Sequence, residues 1–102
     1  MTKATMAEER ILTLHPEKGK QGTRIAKDRY DAMRKALLAV IPKKKDGVAF
    51  GDLKTLVPAK LRGDVFDGAS VTWYLVTVKL DLEARGEIER VPGRGPQRVR
   101  RT

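Results

Sequence analysis

The sequence predicts an α+β domain in which three helices, with one short strand among them, precede a C-terminal β-hairpin. Two observations predict helices: apolar residues recur at helical spacing over residues 30–41 and again over residues 71–82. A third predicts the hairpin, because residues 87–101 read as a strand, a Pro/Gly-rich turn and a second strand. An extended, partly flexible N-terminal arm, residues 1–26, is expected before the domain proper, residues 27–102.

The N-terminal arm has no sustained hydrophobic period, although its "RILTL" stretch is compatible with a short strand. The first helix is expected to take Asp28 as its N-cap and to stop at Pro42, which cannot continue a helix. A lysine-rich loop over residues 42–47 and a short strand over residues 48–50 are predicted to follow. Residues 1–50 therefore read as arm, helix, loop and strand.

The second helix is predicted within "GDLKTLVPAKL" and should turn Leu53, Leu56 and Val57 inward. Pro58 lacks an N–H group and clashes with the carbonyl four residues earlier, so this helix should kink or end near Val57. The connection that follows contributes two expected core residues, Val65 and Phe66.

The third helix is the least obvious element, because residues 76–83 alternate between apolar and polar side chains as a strand does. A helical interpretation is favoured by length, since a strand over residues 71–85 would be unusually long for a small domain. Ser70 is suited to cap the start, and Gly86 stands where a left-handed C′ residue belongs. One helical stripe is then formed by Val71, Leu75, Val78 and Leu82.

This order of elements resembles the winged-helix domain, a helix-turn-helix variant whose hairpin is the wing. The phrase "LDLEARGEIERV" (residues 80–91) resembles the junction between recognition helix and wing in bacterial winged-helix regulators, with Leu82, Glu83, Gly86 and Ile88 in the corresponding roles. The chain is also similar to a small family of uncharacterised bacterial proteins, through "HPEKGKQGTRI", "YDAMRKALL" and "WYLVTVKLDLEARG". That resemblance covers residues 14–101 and implies a fold without implying an activity.

Composition argues against an enzyme. The 102 residues include no cysteine, which excludes disulfides, thiolate metal sites and cysteine nucleophiles. His15 is the only histidine, and neither a metal-ligand spacing nor a Ser–His–Asp set is present. We expect no cofactor and no metal. The sequence also has no apolar stretch long enough for a secretory signal or a membrane span, so the expected location is cytoplasmic.

The net charge of +9 favours a polyanionic partner such as nucleic acid. The charge is clustered: residues 27–62 carry +6 and residues 87–102 carry +3, whereas residues 63–86 between them carry −2. The leading hypothesis is a DNA-binding protein that relies on phosphate contacts, with RNA as the other polyanion to consider. The candidate nucleic-acid-binding residues are Lys43, Lys44, Lys45, Ser70, Thr72, Lys79, Arg90, Arg94, Arg98 and Arg100.

The third helix offers few groups suited to reading bases, which usually fall to Arg, Lys, Asn or Gln. It also carries Asp81 and Glu83, which phosphates would repel. The competing hypothesis is a dimerisation or protein-interaction module without direct DNA binding. Its candidate surface is the second apolar side of this helix, formed by Trp73, Val76 and Leu80.

Overall fold

The computed structural model describes residues 9–61 and 63–102. Within these ranges a two-stranded and a three-stranded antiparallel sheet accompany three α-helices. In chain order the elements are β1 (Arg10–Leu12), β2 (Arg24–Ala26), α1 (Lys27–Val40), β3 (Val48–Ala49), α2 (Phe50–Leu56), a 3₁₀ turn (Pro58–Lys60), α3 (Val71–Ala84), β4 (Ile88–Arg90) and β5 (Arg98–Arg101).

The segment expected to be an extended arm contains a β-hairpin over its described part. The predicted "RILTL" strand is confirmed as β1, and it pairs with β2 in the register Ile11↔Ile25. Ile25 is buried in the main core, so the hairpin packs on the helices. The division of the chain into 1–26 and 27–102 stays a prediction at the level of domains, and residues 1–8 of the arm lie outside the described ranges.

Helix α1 begins two residues earlier than the expected N-cap at Asp28 implies. Strand β2 runs directly into it, and Ala26, with extended φ and ψ of −60° and 134°, is the N-cap. The expectation that Asp28 caps this helix was therefore wrong. Asp28 lies in the first helical turn, where its carboxylate complements the positive end of the helix dipole. The predicted stop is confirmed, since the helix ends at Val40, two residues before Pro42.

Helix α2 is short and largely as predicted, with two corrections. Phe50, expected to end the preceding strand, is its first residue. Leu53 and Val57 are fully buried, but Leu56 is 45% exposed and does not face inward. Pro58 starts a 3₁₀ turn after the helix has ended, as its missing N–H group requires.

The connection to α3 contributes one of its two expected core residues. Phe66 is partly buried and packs against the core. Val65 is half-buried and lies outside that cluster, and its carbonyl accepts a hydrogen bond from Arg29 Nε at 2.9 Å.

Helix α3 confirms the helical interpretation of the alternating segment. The Ser70 hydroxyl accepts a hydrogen bond from the Trp73 N–H at 3.1 Å, which is the predicted N-cap. At the other end Gly86 has φ +77°, a left-handed conformation that glycine adopts without a steric penalty. The N–H groups of Gly86 and Glu87 donate to the carbonyls of Glu83 and Leu82, which is the Schellman arrangement.

The three-stranded sheet has the order β3-β5-β4, so the C-terminal hairpin is completed by the short strand between the first two helices. The predicted α+β class, with three helices and a C-terminal hairpin, is confirmed and is consistent with a winged-helix-like fold. Burying one large aliphatic side chain stabilises a fold by about 1.5–3 kcal/mol. The fully buried residues contributed by the helices and this sheet are Met33, Leu37, Leu53, Leu75, Val78, Leu82, Ile88 and Val99.

None of the helices in the described ranges is long and apolar enough to cross a membrane.

Candidate nucleic-acid interface

The three-stranded sheet turns one face towards the core and the other away from it. Val99, in the central strand β5, is fully buried, and side chains alternate along a strand, so Arg98 and Arg100 project from the opposite, outer face. Glu89 of β4 is the register partner of Arg100 and lies on the same side. Its Oε2 accepts a hydrogen bond from Arg100 Nε at 2.6 Å.

The lysine loop is attached to this outer face by the two arginines. Arg100 Nη1 donates to the Lys45 carbonyl at 2.9 Å, and Arg98 Nε donates to the Asp46 carbonyl at 2.7 Å. Gly47 closes the loop with φ +62°, and a Cβ atom there would lie 2.1 Å from the Val99 carbonyl oxygen. Only glycine permits this approach, so the loop is held directly against β5.

The wing, which is the β4–β5 hairpin, presents Arg94 at its tip between Gly93 and Gly95. Arg94 is exposed, and its side chain makes no hydrogen bond or ion pair to the described residues. Lys43, Lys44 and Lys45 are exposed as well. We call the surface formed by Lys43, Lys44, Lys45, Arg94, Arg98 and Arg100 the basic face. It carries six cationic side chains, and its neighbouring carboxylates are Asp46 and Glu89.

Lys79, a predicted nucleic-acid contact, is instead buried, with 3% of its surface exposed. Its ammonium lies 2.7 Å from Glu83 Oε2, donates to Gln97 Oε1 and sits 5.0 Å from the centroid of the Phe50 ring. A charged group that has lost its water needs such partners. The assignment of Lys79 to a binding surface is therefore corrected: it joins α3 to α2 and to the wing.

Arg90, another predicted contact, belongs to the same arrangement. It is the register partner of Val99, so it projects from the inner side of the sheet. Its Nε lies 3.1 Å from Glu83 Oε1, which places the Glu83 carboxylate between Arg90 and Lys79. We call Lys79, Glu83, Arg90 and Gln97 the α3–wing cluster. Arg90 points to the opposite side of the sheet from Arg98 and Arg100, and its side chain is 54% exposed.

Asp81, the other acidic residue of α3, is completely buried. Its carboxylate accepts hydrogen bonds from the Tyr30 hydroxyl, from the Leu14 N–H at 2.8 Å and from Arg85 Nε at 2.9 Å. Burial, with the hydrogen bond to Asp81 as the second cause, raises the pKa of Tyr30 to about 12. Asp81 and Glu83 are thus paired internally, and neither presents a bare carboxylate to an approaching phosphate.

The remaining predicted contacts on α3 are exposed but are not joined to the basic face. Ser70 uses its hydroxyl to cap the helix. Thr72 is exposed. The hydrogen bonds that connect the lysine loop to β5 involve neither residue.

The alternative candidate surface on α3 is partly open. Trp73 is 45% exposed, and Val76 and Leu80 are half-buried. Leu80 shares a small cavity with Leu14 of the N-terminal segment. Ala84, further along the same side of the helix, lines an open cleft of about 570 Å³ with Leu12 and Leu14.

Comparison with known protein families gives one match. A family model described as a family of unknown function, DUF6958, matches residues 10–99. The chain belongs to the DUF6958 family. That match covers the two-stranded sheet, all three helices described above and the three-stranded sheet up to the first half of β5. Searches of curated proteins and of solved structures each returned no match.

Sequence reasoning identified the exposed cations but did not recognise that Lys79 and Asp81 are buried. Within the described residues, no group of three His, Asp or Glu side chains converges in a way that could hold a metal ion. The signal that could have identified Lys79 and Asp81 is their position in α3. Each lies next to a residue of the core stripe, Val78 and Leu82 respectively, so each flanks the buried side of the helix.

Proposed function

We propose that this DUF6958 protein binds nucleic acid, most favourably duplex DNA, through phosphate contacts made by the basic face. The observation that carries the proposal is the attachment of the lysine loop to β5 by Arg98 and Arg100. Two clusters of positive charge that are distant in sequence thereby form one surface. Phosphate contacts of this kind supply affinity and position but carry little sequence information.

The side chains of α3 support a mode of nucleic-acid binding in which individual bases are not recognised. Its single lysine, Lys79, is buried, and the outward side of its central turns is formed by Val76, Thr77 and Leu80. None of these offers the paired donors and acceptors with which side chains discriminate bases in a major groove. Binding that depends on the basic face alone should tolerate many sequences. The expected cytoplasmic location belongs to this proposal.

The test uses substitutions that remove charge without removing structural hydrogen bonds. Lys44→Gln and Arg94→Gln change exposed side chains that make no hydrogen bond to the described residues. Fluorescence anisotropy with a labelled duplex should show weaker binding for each variant. The slope of log K against log salt should fall in magnitude by about 0.9 for each phosphate that the variant no longer neutralises.

Lys35→Gln is the matched control, because Lys35 is a lysine on α1 that lies outside the basic face. It removes the same charge and should leave the salt slope unchanged. Equal effects of Lys35→Gln and Lys44→Gln would mean that net charge, not this surface, determines binding. Absence of binding at low salt would overturn the proposal. Competition between duplex DNA and structured RNA distinguishes the two polyanions.

A further inference from the structure

A mainly apolar surface, interrupted by Thr77, lies on the outer side of α3 and is not used by the proposed nucleic-acid contact. Trp73, Leu80 and Ala84 follow one another on one side of the helix, and Val76 lies beside them. The Leu14 N–H is bonded to Asp81, which brings the N-terminal segment onto the same side next to Leu80 and Ala84. We call this surface the apolar band: Leu12, Leu14, Trp73, Val76, Leu80 and Ala84.

The apolar band concentrates the exposed hydrophobic side chains of the molecule. Among the described residues, four large apolar side chains are more than a third exposed: Leu12 at 47%, Leu14 at 39%, Leu56 at 45% and Trp73 at 45%. Three of the four belong to the band. With a rise of about 1.5 Å per residue, Trp73 and Ala84 are about 16 Å apart along α3. A mainly apolar strip of this length marks an interaction surface more than scattered leucines do.

The two ends of the apolar band carry opposite charges. At the Leu12 end, Arg24 is the register partner of Leu12, and Arg10 lies on the same outward side of the hairpin, since Ile25 faces the core. Arg85 Nη2 also donates to the Leu12 carbonyl there. Arg85 is already paired with Asp81, so the positive charge of this end comes from Arg10 and Arg24.

The Trp73 end is acidic. Asp64 and Asp67 are in the turns before α3 and flank Phe66 in sequence, and Asp67 is exposed. Phe66 packs edge-on against Tyr74, with 5.3 Å between ring centroids, and Tyr74 packs edge-on against Trp73 at 4.9 Å. Asp64 and Asp67 are not among the ion pairs formed within the described ranges. Arg29 reaches the same end, where its guanidinium donates to the Tyr74 hydroxyl and the Val65 carbonyl, and the two carboxylates outnumber it.

We infer that a second copy of this chain docks on the apolar band, with the two α3 helices antiparallel. A twofold axis places the same surface on both protomers, and an axis perpendicular to α3 reverses the direction of the band, whereas an axis parallel to α3 would bring like ends together. The acidic end of each protomer then meets the basic end of the other, twice per dimer, while Trp73 and the leucines are buried between them. Antiparallel pairing is the arrangement in which the charges at both ends attract.

The first measurement uses Trp73 as a probe, because it is the only tryptophan in the chain. Sedimentation equilibrium should show the mass rising with concentration from the monomer value of 11.4 kDa towards twice that value. Tryptophan emission should move to shorter wavelength over the same concentration range. The inference would be overturned if the mass stays at the monomer value and the tryptophan emission does not change with concentration. This holds whether the constant emission is that of an exposed or of a covered indole.

Leucine substitutions test the location of the interface. Leu14→Ser or Leu12→Ser should weaken dimerisation by roughly tenfold, because each dimer then buries two fewer leucine side chains. Leu56→Ser is the matched control, since Leu56 is equally exposed but lies on α2, outside the apolar band. It should leave the dimer unchanged. Circular dichroism establishes that each variant is folded, and an equal effect of the control would contradict this interface.

Charge reversal tests the antiparallel arrangement. The variants Asp64→Lys with Asp67→Lys, and Arg10→Glu with Arg24→Glu, give protomers whose two ends carry the same sign. Each variant alone should be monomeric, and an equimolar mixture should form a heterodimer in which opposite ends meet. A mixture that stays monomeric, although each variant is folded, would exclude the antiparallel pairing. The outcome of this test does not depend on nucleic-acid binding, so the dimer can be confirmed even if the protein binds no nucleic acid.

Discussion

At the scale of single residues, the protein depends on charges that are placed inside it. An isolated buried carboxylate would cost several kcal/mol, mostly from lost hydration. Asp81 avoids this cost because the Tyr30 hydroxyl, the Leu14 N–H and Arg85 surround it. These partners come from α1, from the segment after β1 and from the C-terminal end of α3. One carboxylate therefore links the N-terminal hairpin to the helical core.

The pKa of Tyr30 gives a prediction at this scale. The folded protein holds this hydroxyl protonated to about pH 12, compared with an ordinary pKa of 10.0. Between these values the unfolded state binds fewer protons than the folded state, so the free energy of unfolding falls as pH rises. The contribution is fully present below pH 10 and is lost as pH rises through about 12.

The measurement is urea unfolding of the native protein and of Tyr30→Phe across roughly pH 9 to 12, the range that spans both pKa values. The free energy of unfolding of Tyr30→Phe should fall less over this range, because the variant has no hydroxyl at residue 30 to lose its proton. The tyrosinate absorbance of the variant should also lose the step near pH 12. An identical pH dependence in both proteins would show that the hydroxyl of Tyr30 is not held in this way.

At the scale of elements, the α3–wing cluster determines where the hairpin lies relative to the helices. Gln97 accepts from Lys79 through its side chain, and its carbonyl accepts from the Phe50 N–H at 2.8 Å. One residue at the base of the wing is thus attached to both α2 and α3. Glu83 adds a second connection through Arg90. The wing is held at its base on both strands, while its tip at Arg94 is exposed.

Lys79→Ala tests the structural role of this cluster. Removing one partner of a buried ion pair typically costs about 3–5 kcal/mol. The free energy of unfolding should fall by about 3 kcal/mol, near the lower limit of that range, because Arg90 still faces Glu83 in the variant. The salt slope for duplex binding, measured where the variant is folded, should be unchanged because Lys79 touches no phosphate. Lys44→Gln should show the reverse pattern, with unchanged stability and a smaller slope. A reduced slope for Lys79→Ala would return Lys79 to the binding surface.

At the scale of the whole molecule, the two proposed surfaces use different residues. The basic face lies on the outer side of the three-stranded sheet, whereas the apolar band lies on α3 and the N-terminal hairpin. The inner side of that sheet, through Ile88 and Val99, contributes to the core that α3 also joins. A dimer formed through the apolar band would carry two basic faces. Linking two binding surfaces raises affinity for a ligand that reaches both.

Trp73→Ala should therefore separate the two properties. On a duplex too short for two protomers, its affinity should equal that of the native protein within about twofold, because every cation of the basic face is retained. On a long duplex its binding should be weaker than native, since the gain from linkage disappears. Anisotropy titrations with both lengths at one salt concentration provide the comparison. Equally weakened binding to both duplexes would mean that Trp73 itself touches the nucleic acid.

Local patterns in the sequence determined the elements of this protein. The spacing of Leu75, Val78 and Leu82, the cap at Ser70 and the stop at Gly86 predict α3 correctly, because helix geometry depends on residues only a few positions apart. The Pro/Gly turn of the wing predicts the hairpin for the same reason. The start of α1 was missed, since Ala26 has no capping side chain and its strand partner lies in β1.

Only the tertiary structure decided which charges are accessible. Lys79 and Lys44 are the same residue type, yet one is buried against Phe50 and the other is exposed. Arg90 and Arg100 belong to one hairpin, but the sheet places them on opposite sides, where they meet different carboxylates, Glu83 and Glu89. Whether a charge meets a partner or water depends on contacts between elements distant in sequence. Hydration and desolvation are properties of that assembled surface, so the binding residues could be selected only once the fold was known.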